Sequence, residues 1–418
     1  MKRFVRKAGL LCLLCTSVLF SQTPDRLSLN SAIAIAVQSN PDVLAAQKGI
    51  EAAAGRVRQA GRIPNPELSV TYNETPTNFS LSDAGEQDIG IFQPVEFPGR
   101  RGARVDVAEH EKTISELDFT RAKTVIVSKV KKTYYGALLA KEIIASLELT
   151  ISLLDDFLKQ VTERYQSGAS AYLDVIRTKV ELTRLRNDLT EAKREQQFQL
   201  AELNVLLGRP GETAILLADS MLYEPLRLTQ DSAIALYSGQ SAFLKIVESE
   251  ARRSQSLLSL ARTSYLPDFD FGFSLQNRPG QISATGSTRY LGFEVGLSLP
   301  LWFWQGPKGE VEEAVATVDI ATVRVEASRR RVRQSIVNTY QIASVVDQQL
   351  QVFETSLLRD AEDELRAGIS AYQNNQIDVL NLFDIYRTYR SLRIEYTRAL
   401  YNYLAAKAEL EASAEVPE

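Results

Sequence analysis

Apolar and polar side chains alternate strictly in two stretches of this chain, residues 268–276, DFDFGFSLQ, and residues 291–299, LGFEVGLSL. A period of two is typical of a β-strand with one apolar face. An earlier pair of stretches alternates less strongly. We therefore predict four strands in two hairpins, at about 67–75 and 87–95 and at about 268–277 and 289–299, with polar loops between the members of each pair.

The length of these strands indicates where they reside. Strands of roughly nine to eleven residues suit a tilted bilayer crossing, but a closed membrane barrel needs at least about eight of them. Because unpaired strand edges are not tolerated in lipid, four strands would have to share a barrel with other subunits, and three copies would supply twelve. A soluble sandwich with one buried face is the alternative that the pattern leaves open.

In a barrel, the alternation would separate two faces. The side chains that would face lipid are Phe269, Phe271, Phe273, Phe293 and Val295. Those that would face a wet interior are Asp270, Gln276 and Glu294. The tryptophans Trp302 and Trp304 directly follow the fourth strand, where an aromatic belt would mark the membrane interface, although chance placement of two residues explains them as well.

Proline marks the limits of two long arms. None of the fourteen prolines falls between Pro98 and Pro210 or between Pro307 and Pro417. Within these arms apolar residues recur every three or four positions, as in a packed amphipathic helix. Two helical hairpins are predicted, at about 103–206 and 308–412. A helix of ~65 residues would extend ~100 Å, which favours packing side by side as in a coiled coil.

The chain is also an internal duplication. Residues 90–94, GIFQP, recur as residues 296–300, GLSLP, and similar pairs occur elsewhere. Each half is predicted to contain a helix, a β-hairpin and a long helical hairpin. The first repeat would span 23–206 and the second 226–412, joined by an irregular equatorial segment at 207–225 and followed by a tail at 413–418.

The N-terminal residues resemble a signal peptide. Four basic residues precede an uncharged stretch from Ala8 to Phe20, so we expect residues 1–22 to be a leader that directs export, with an uncleaved anchor as the alternative. Its removal takes four of the 48 basic and none of the 52 acidic residues, which leaves a net charge of −8. It also takes both cysteines, Cys12 and Cys15. With a single histidine, His110, we predict no metal site and no cofactor.

Three segments carry a family resemblance: residues 40–41, NP; residues 64–68, PNPEL; and residues 97–102, FPGRRG. With these segments the chain resembles the TolC family of outer membrane factors over residues 27–411. Residues 97–102 and 377–380, IDVL, are similar to its heavy-metal-efflux branch. The resemblance implies a mainly α-helical homotrimer with a membrane β part, in which a twelve-stranded β-barrel continues into a twelve-helix periplasmic α-barrel.

The resemblance also implies a function and partners. Such proteins are not enzymes but exit ducts of tripartite efflux systems in the outer membrane of Gram-negative bacteria, surrounded there by lipid. A periplasmic adaptor, or membrane fusion protein, would dock at turns around Gly168 and Gly368. An inner-membrane transporter of the RND type would supply substrates such as metal cations or drugs. We expect no nucleic-acid partner, because four arginines at 329–333 fit a solvated helix face.

A periplasmic gate is implied as well, by the match of Asp174, Tyr372 and Asp378 to family positions. A ring of aspartates would attract cations, while helix N-capping is the alternative role of both aspartates. Arg366 and Arg387 are close enough in sequence to pair with them. The chain departs from the family at Asn374 and Asn381, which replace an arginine and an aspartate.

Other functions remain as alternatives. One is the exit duct of a type I secretion system, and another is an exported coiled-coil scaffold that spans the envelope without conducting anything. The scaffold explains the helical arms but not the four alternating strands. An enzyme has little support, since the chain lacks a phosphate-loop motif and a histidine for a serine triad.

Overall fold

The computed structural model describes residues 25–75, 77, 79–81, 84–168, 170–279, 288–374 and 376–415, so the predicted leader lies outside the described residues. Its strands are β1 (Asp25–Leu27), β2 (Glu67–Asn73), β3 (Glu86–Val95), β4 (Ile215–Leu217), β5 (Asp268–Asn277) and β6 (Arg289–Ser298). Its helices are α1 (Leu29–Ser39), α2 (Pro41–Ala60), α3 (Arg100–Gln166), α4 (Tyr172–Leu206), α5 (Gln230–Gln240), α6 (Ala242–Arg262), α7 (Gly306–Val352), α8 (Leu358–Gln373) and α9 (Val379–Ala412), with a π-helical turn, Phe353–Leu357, between α7 and α8.

The elements follow the same order twice, because the same local signals recur. Ser28 and Thr229 cap α1 and α5 with their hydroxyls, each accepting from a backbone N–H three residues on. Asn40 and Ser241 cap α2 and α6. The side chain of Asn40 also donates to Leu206 O at the end of α4. Ser241 likewise donates to Ala414 O just beyond the end of α9.

The four longer strands form one antiparallel sheet with the strand order β2-β3-β5-β6. Leu68, Ile91, Phe273 and Phe293 lie opposite one another across the four strands. Because facing residues share a face, one side of the sheet is apolar from edge to edge, and its large side chains are exposed. The outer strands β2 and β6 each keep one edge without a partner in the described sheet.

The helical body is built around α3, which packs against α2, α4, α6 and α9. Helices α3 and α8 finish at the same end of the body, and α4 and α9 start there. Helices α4 and α9 therefore run in the same direction. At that end lies the cluster that we call the tip core. It contains Leu147, Leu154, Phe157 and Val161 of α3, Val175, Leu182 and Leu185 of α4, Tyr372 of α8, and Val379, Leu382 and Phe383 of α9.

Two tyrosines, one buried and one partly buried, connect the long helices to the residues that precede α1 and α5. The Tyr134 hydroxyl donates to Leu27 O at 2.8 Å and lies 3.0 Å from the Asp219 carboxylate. The Tyr340 hydroxyl makes the equivalent bond to Leu228 O at 3.0 Å. Two tyrosines 206 residues apart thus bond to equivalent carbonyls, so the duplication extends to individual hydrogen bonds.

The described chain is mainly helical with a β part, as the sequence predicts. None of its described helices combines the length and the apolarity that a membrane crossing requires. The second arm differs from the expectation of an uninterrupted helix, since the π-helical turn divides it into α7 and α8.

Candidate gate at the helical tip

The two helical hairpins reverse direction at the same end of the molecule. The first turn lies between Gln166 and Tyr172, and Gly168 adopts φ +77° there, a left-handed conformation that glycine accepts without strain. The second turn lies between Gln373 and Val379. Both turns sit at the end of the tip core, so the side chains near them are held on packed helices.

A cavity of about 400 Å³ lies between the two turns. The structure brings all three predicted gate residues to its wall. The lining consists of Arg164, Ser170, Asp174, Tyr372, Gln376, Ile377, Asp378, Val379 and Asn381. Residues about 200 positions apart in sequence thereby form one polar site, which neither hairpin could form alone.

The two aspartates are held differently. Asp378 is the N-cap of α9, and its Oδ1 accepts from the Asn381 backbone N–H at 2.9 Å. Asp174 lies in the first turn of α4, where its Oδ2 accepts from the Ser170 hydroxyl at 3.0 Å. Negative charge is favoured at both positions by the helix dipole. Asp378 therefore has the capping role. Asp174 instead bonds to the side chain of Ser170, which lies in the turn between α3 and α4.

Tyr372 closes the apolar side of the cavity. It is 8% exposed, with its ring 5.1 Å from the ring of Phe157 and 5.3 Å from the Arg164 guanidinium carbon. Burial raises the pKa of the Tyr372 hydroxyl; the charge of Arg164 opposes that shift and the charge of Asp174 adds to it. The phenol is therefore neutral at physiological pH and can donate a hydrogen bond toward the cavity.

The prediction that Arg366 and Arg387 pair with the gate aspartates is wrong for this chain. Arg387 lies 2.9 Å from Glu181 of α4 and also contacts Asp384. Arg366 instead lies 3.6 Å from Asp363 and 3.8 Å from Glu362 on its own helix. Residues three or four apart on a helix are neighbours on its surface, so Arg366 finds acidic partners before it reaches the turn.

The placement of Gly368 in a docking turn is also wrong. Gly368 lies inside α8, buried against Ile385 of α9, and the second turn begins only after Gln373. Its sequence position suggested a turn because glycine is common there, but here glycine permits two helices to approach closely. Asn374, which replaces the family arginine, follows α8 and its side-chain amide donates to Ser370 O at 2.9 Å.

The predicted interface aromatics lie at the opposite end of α7 from the tip. Trp302 and Trp304 directly follow β6 and expose more than half of their surface. Between them Phe303 contacts the ring of Tyr265, with the centroids 6.4 Å apart.

Residues 32–209 and 240–414 match the family model described as Outer membrane efflux protein. The chain belongs to this family. Each of the two matched segments covers most of one structural repeat, so the family pattern includes the duplication. Both turns of the candidate gate lie inside the matched segments.

This outer membrane efflux protein is similar to several known members. It is 22% identical to the cobalt-zinc-cadmium resistance protein CzcC of Cupriavidus metallidurans, over 90% of this chain and 86% of that one. It is 21% identical to the outer membrane protein TolC of Vibrio cholerae, over 86% of each. The structure of the open state of the Neisseria gonorrhoeae MtrE channel superimposes with a TM-score of 0.77 at 16% identity, covering 93% and 88% of the two chains.

The family assignment settles the coarse function. This outer membrane efflux protein is an efflux channel of the Gram-negative outer membrane and belongs to a family of ducts rather than enzymes. Family members work with a periplasmic adaptor and an inner-membrane pump.

The sequence patterns of this efflux protein did not single out Glu181, which lies at the tip. Glu181 is buried, with 8% of its side chain exposed, and it accepts hydrogen bonds from Arg387. That bond lowers the pKa of the Glu181 carboxyl more than burial raises it. A signal was present, because Glu181 directly precedes Leu182 and so lies beside the apolar stripe of Val175, Leu182 and Leu185 on α4.

Proposed function

We propose that three copies of this protein assemble into one conduit, with a twelve-stranded barrel in the outer membrane and a twelve-helix tube in the periplasm. The observation that carries the proposal is the pair of sheet edges, β2 and β6, that have no partner in the described sheet. An apolar sheet in lipid must pair both edges, and identical neighbours supply the missing strands.

The two faces of the sheet support the same arrangement. The face that bears Phe271, Phe273, Phe293 and Val295 is exposed and apolar. The opposite face carries Asp270, Gln276 and Glu294, with glycines facing Asp270 and Glu294 on the neighbouring strand. Such a sheet fits lipid outside and water inside, whereas a soluble sandwich would bury the apolar face.

The tip would then be the periplasmic gate. In a trimer, Asp174 and Asp378 would each be present three times around one opening, which attracts cations and repels anions. Tyr372 would support the aspartates from the packed side. Opening requires a partner that binds the open tip better than the closed one.

We assign that role to a periplasmic adaptor that docks at the first turn around Gly168 and at the second turn, residues 374–378. The second site thereby moves from Gly368, which is buried, to the turn that follows α8. An RND-type inner-membrane pump would load the duct.

Metal cations are the cargo that the relatives favour, since the name of CzcC includes cobalt, zinc and cadmium. Within the part of the chain that the structure describes, no three acidic, histidine or cysteine side chains are grouped to hold a metal ion. The duct would therefore pass a cation without binding it tightly, and selection would belong to the pump.

Purified protein in detergent and planar bilayers tests the conduit. We expect a trimer by light scattering and cation-selective channels in the bilayer. A folded monomer that needs no detergent would contradict the proposal, and a trimer without conductance would leave the scaffold as the better interpretation.

The cargo is tested in a host that lacks its own outer membrane duct and expresses this protein together with a periplasmic adaptor and an RND-type pump. Increased resistance to cobalt, zinc or cadmium is expected. Resistance to drugs alone would reject metal export, and secretion of a protein substrate would instead indicate a type I exit duct.

A further inference from the structure

The two arms of the duplicated chain differ in length by one residue. Helix α3 runs without interruption for 67 residues, whereas α7, the π-helical turn and α8 contain 47, 5 and 16 residues, one more in total. The arms begin 206 positions apart, at Arg100 and Gly306. Tyr134 and Tyr340, also 206 positions apart, make equivalent hydrogen bonds. The extra residue therefore lies after Tyr340 in the sequence, and the π-helical turn accommodates it.

A π-helical turn is weaker than the α-helix on either side of it. Its wider bonding leaves carbonyl groups poorly paired, and such turns are common at functional sites and at kinks. Here two side chains donate hydrogen bonds to backbone carbonyl oxygens. The Thr355 hydroxyl donates to Gln351 O at 2.8 Å, and the Arg359 guanidinium donates to Thr355 O at 2.7 Å. No residue of the turn is fully buried; Phe353 packs against the cluster around Leu350 and Tyr403, whereas residues 354–356 are exposed, so little packing holds the turn.

The turn separates two well-anchored parts of the second arm. On the α7 side, Asp347 accepts from the Tyr223 hydroxyl and from the Leu226 backbone N–H, both at 3.0 Å, which ties α7 to the segment between the repeats. On the α8 side, Tyr372 is part of the tip core and Gly368 packs against Ile385. A flexible element between two fixed bodies is the position of a hinge.

Tyr396 of α9 contacts this turn through both its hydroxyl and its ring. The Tyr396 hydroxyl donates to the Glu354 carboxylate, and the rings of Tyr396 and Phe353 lie 5.9 Å apart at 63°. A hydrogen bond to a charged acceptor is stronger than a neutral one. This contact therefore favours the conformation of the arm seen here.

We propose that residues 353–357 are a hinge, latched by the bond between Tyr396 and Glu354, about which α8 carries Tyr372 and the second turn away from the first turn. Helix α3 would remain stationary, and the motion would be confined to the second repeat, in which the start of α9 would follow α8 through the second turn. The inference rests on the proposed gate and adds where in the chain its motion originates.

Deletion of Ser356 tests the hinge directly. Removing one residue from a π-helical turn restores an α-helix of the length of α3 and leaves the residues on both sides in register. The variant should fold, form trimers and keep the tip core, but its open fraction in the bilayer should fall by about threefold or more. The matched control is deletion of Leu149, an exposed residue of the unbroken α3. That deletion rotates the helix beyond it by ~100° and should prevent trimer formation.

Substitution of Tyr396 by phenylalanine tests the latch. Tyr396→Phe keeps the ring against Phe353 but removes the donor to Glu354, so the open fraction should rise about three- to tenfold. Tyr401→Phe, on the same helix, is the control and should leave it unchanged. A spin label can be attached at Asp363→Cys, an exposed position of α8. The distance between the labels of two subunits of the trimer should be longer in Tyr396→Phe than in the deletion of Ser356.

Conductance of the wild-type trimer distinguishes failure of the hinge from failure of the proposed function. If the wild type does not conduct, the conduit itself is rejected. If it conducts, and neither the deletion of Ser356 nor Tyr396→Phe changes the open fraction or the label distance, the hinge is rejected. Failure of the Ser356 deletion to fold would also count against it, because the flanking register would then depend on the extra residue.

Discussion

Asp378 combines two properties that mutation can separate. Its carboxylate caps α9 by accepting from the Asn381 backbone N–H, and it lines the tip cavity together with Asp174. A neutral capping residue would keep the first property and remove the second. The proposed role of Asp378 in the gate can therefore be measured without unfolding the helix.

Replacement of Asp378 by alanine and by serine should give different results. Asp378→Ala loses the cap and the charge, which costs about 1 kcal/mol of stability and raises single-channel conductance or antibiotic leak. Asp378→Ser keeps a capping oxygen, so stability should be near wild type while cation selectivity falls. Thermal unfolding and bilayer recordings measure the two effects. Unchanged conductance and selectivity in both variants would remove Asp378 from the gate.

The pair formed by Glu181 and Arg387 should make the tip sensitive to acid. Because the folded-state pKa of Glu181 is lowered, the pair stabilises the fold fully above the ordinary glutamate pKa of about 4.3, and this contribution is lost as the pH falls through the lower folded value. Glu181→Gln should cost about 1–2 kcal/mol at pH 7, discounted because Arg387 is 47% exposed.

Hydrogen exchange of α4 and α9 at pH 7 and pH 3 measures this effect, because the contribution is lost only below the ordinary glutamate pKa. The variant should lose less protection on acidification than the wild type does. Glu191→Gln is the control, because Glu191 is exposed and pairs only with Arg194 of its own helix among the described contacts. Equal acid sensitivity of Glu181→Gln and the wild type would show that the pair does not couple the helices.

At the scale of elements, the contact between α8 and α9 depends on a missing side chain. A Cβ at Gly368 would lie 2.6 Å from Ile385 Cδ1 and 3.3 Å from its Cγ2. The two helices of the second hairpin therefore pack closely at one point just above the gate. Gly168, by contrast, needs glycine for its backbone conformation and not for space.

Gly368→Val should push α8 away from α9 and destabilise the tip by about 1–3 kcal/mol. Ile385→Ala alone should also destabilise it, because it leaves a cavity. The double variant should recover part of the loss, because Ile385→Ala removes the atoms that the valine would meet and the valine fills the space that they leave. Thermal unfolding of the three variants gives the coupling energy, and strictly additive losses would contradict a direct contact.

At the scale of the whole molecule, the sheet has two faces that should respond differently to charge. Phe293, 83% exposed, lies on the apolar face, and its neighbour Glu294 lies on the other. The difference arises from the strand period of two, so a shift by one residue moves a side chain from one face of the sheet to the other.

Phe293→Lys should reduce insertion into the outer membrane, because a charge on the lipid face costs about 2–4 kcal/mol near the bilayer centre. Glu294→Lys should insert normally and reduce cation selectivity. Trimer yield in outer membrane fractions and reversal potentials in bilayers measure the two outcomes. Equal yields for both variants would refute the assignment of the two faces.

The sequence by itself determined the features that depend on local periodicity. A period of two indicated the strands, spacing of three and four with the absence of proline indicated the long helices, and repeated segments indicated two halves. These patterns are readable because strand and helix geometry place nearby residues on one face.

Only the tertiary structure decided the contacts between distant residues. Arg387 pairs with Glu181, 206 positions away, and Gly368 lies inside a helix because Ile385 packs against it. The π-helical turn depends on a single residue, which the apolar pattern of one helix does not reveal. Each of these features arises where one helix meets another, and local periodicity contains no information about which residues face each other across that contact.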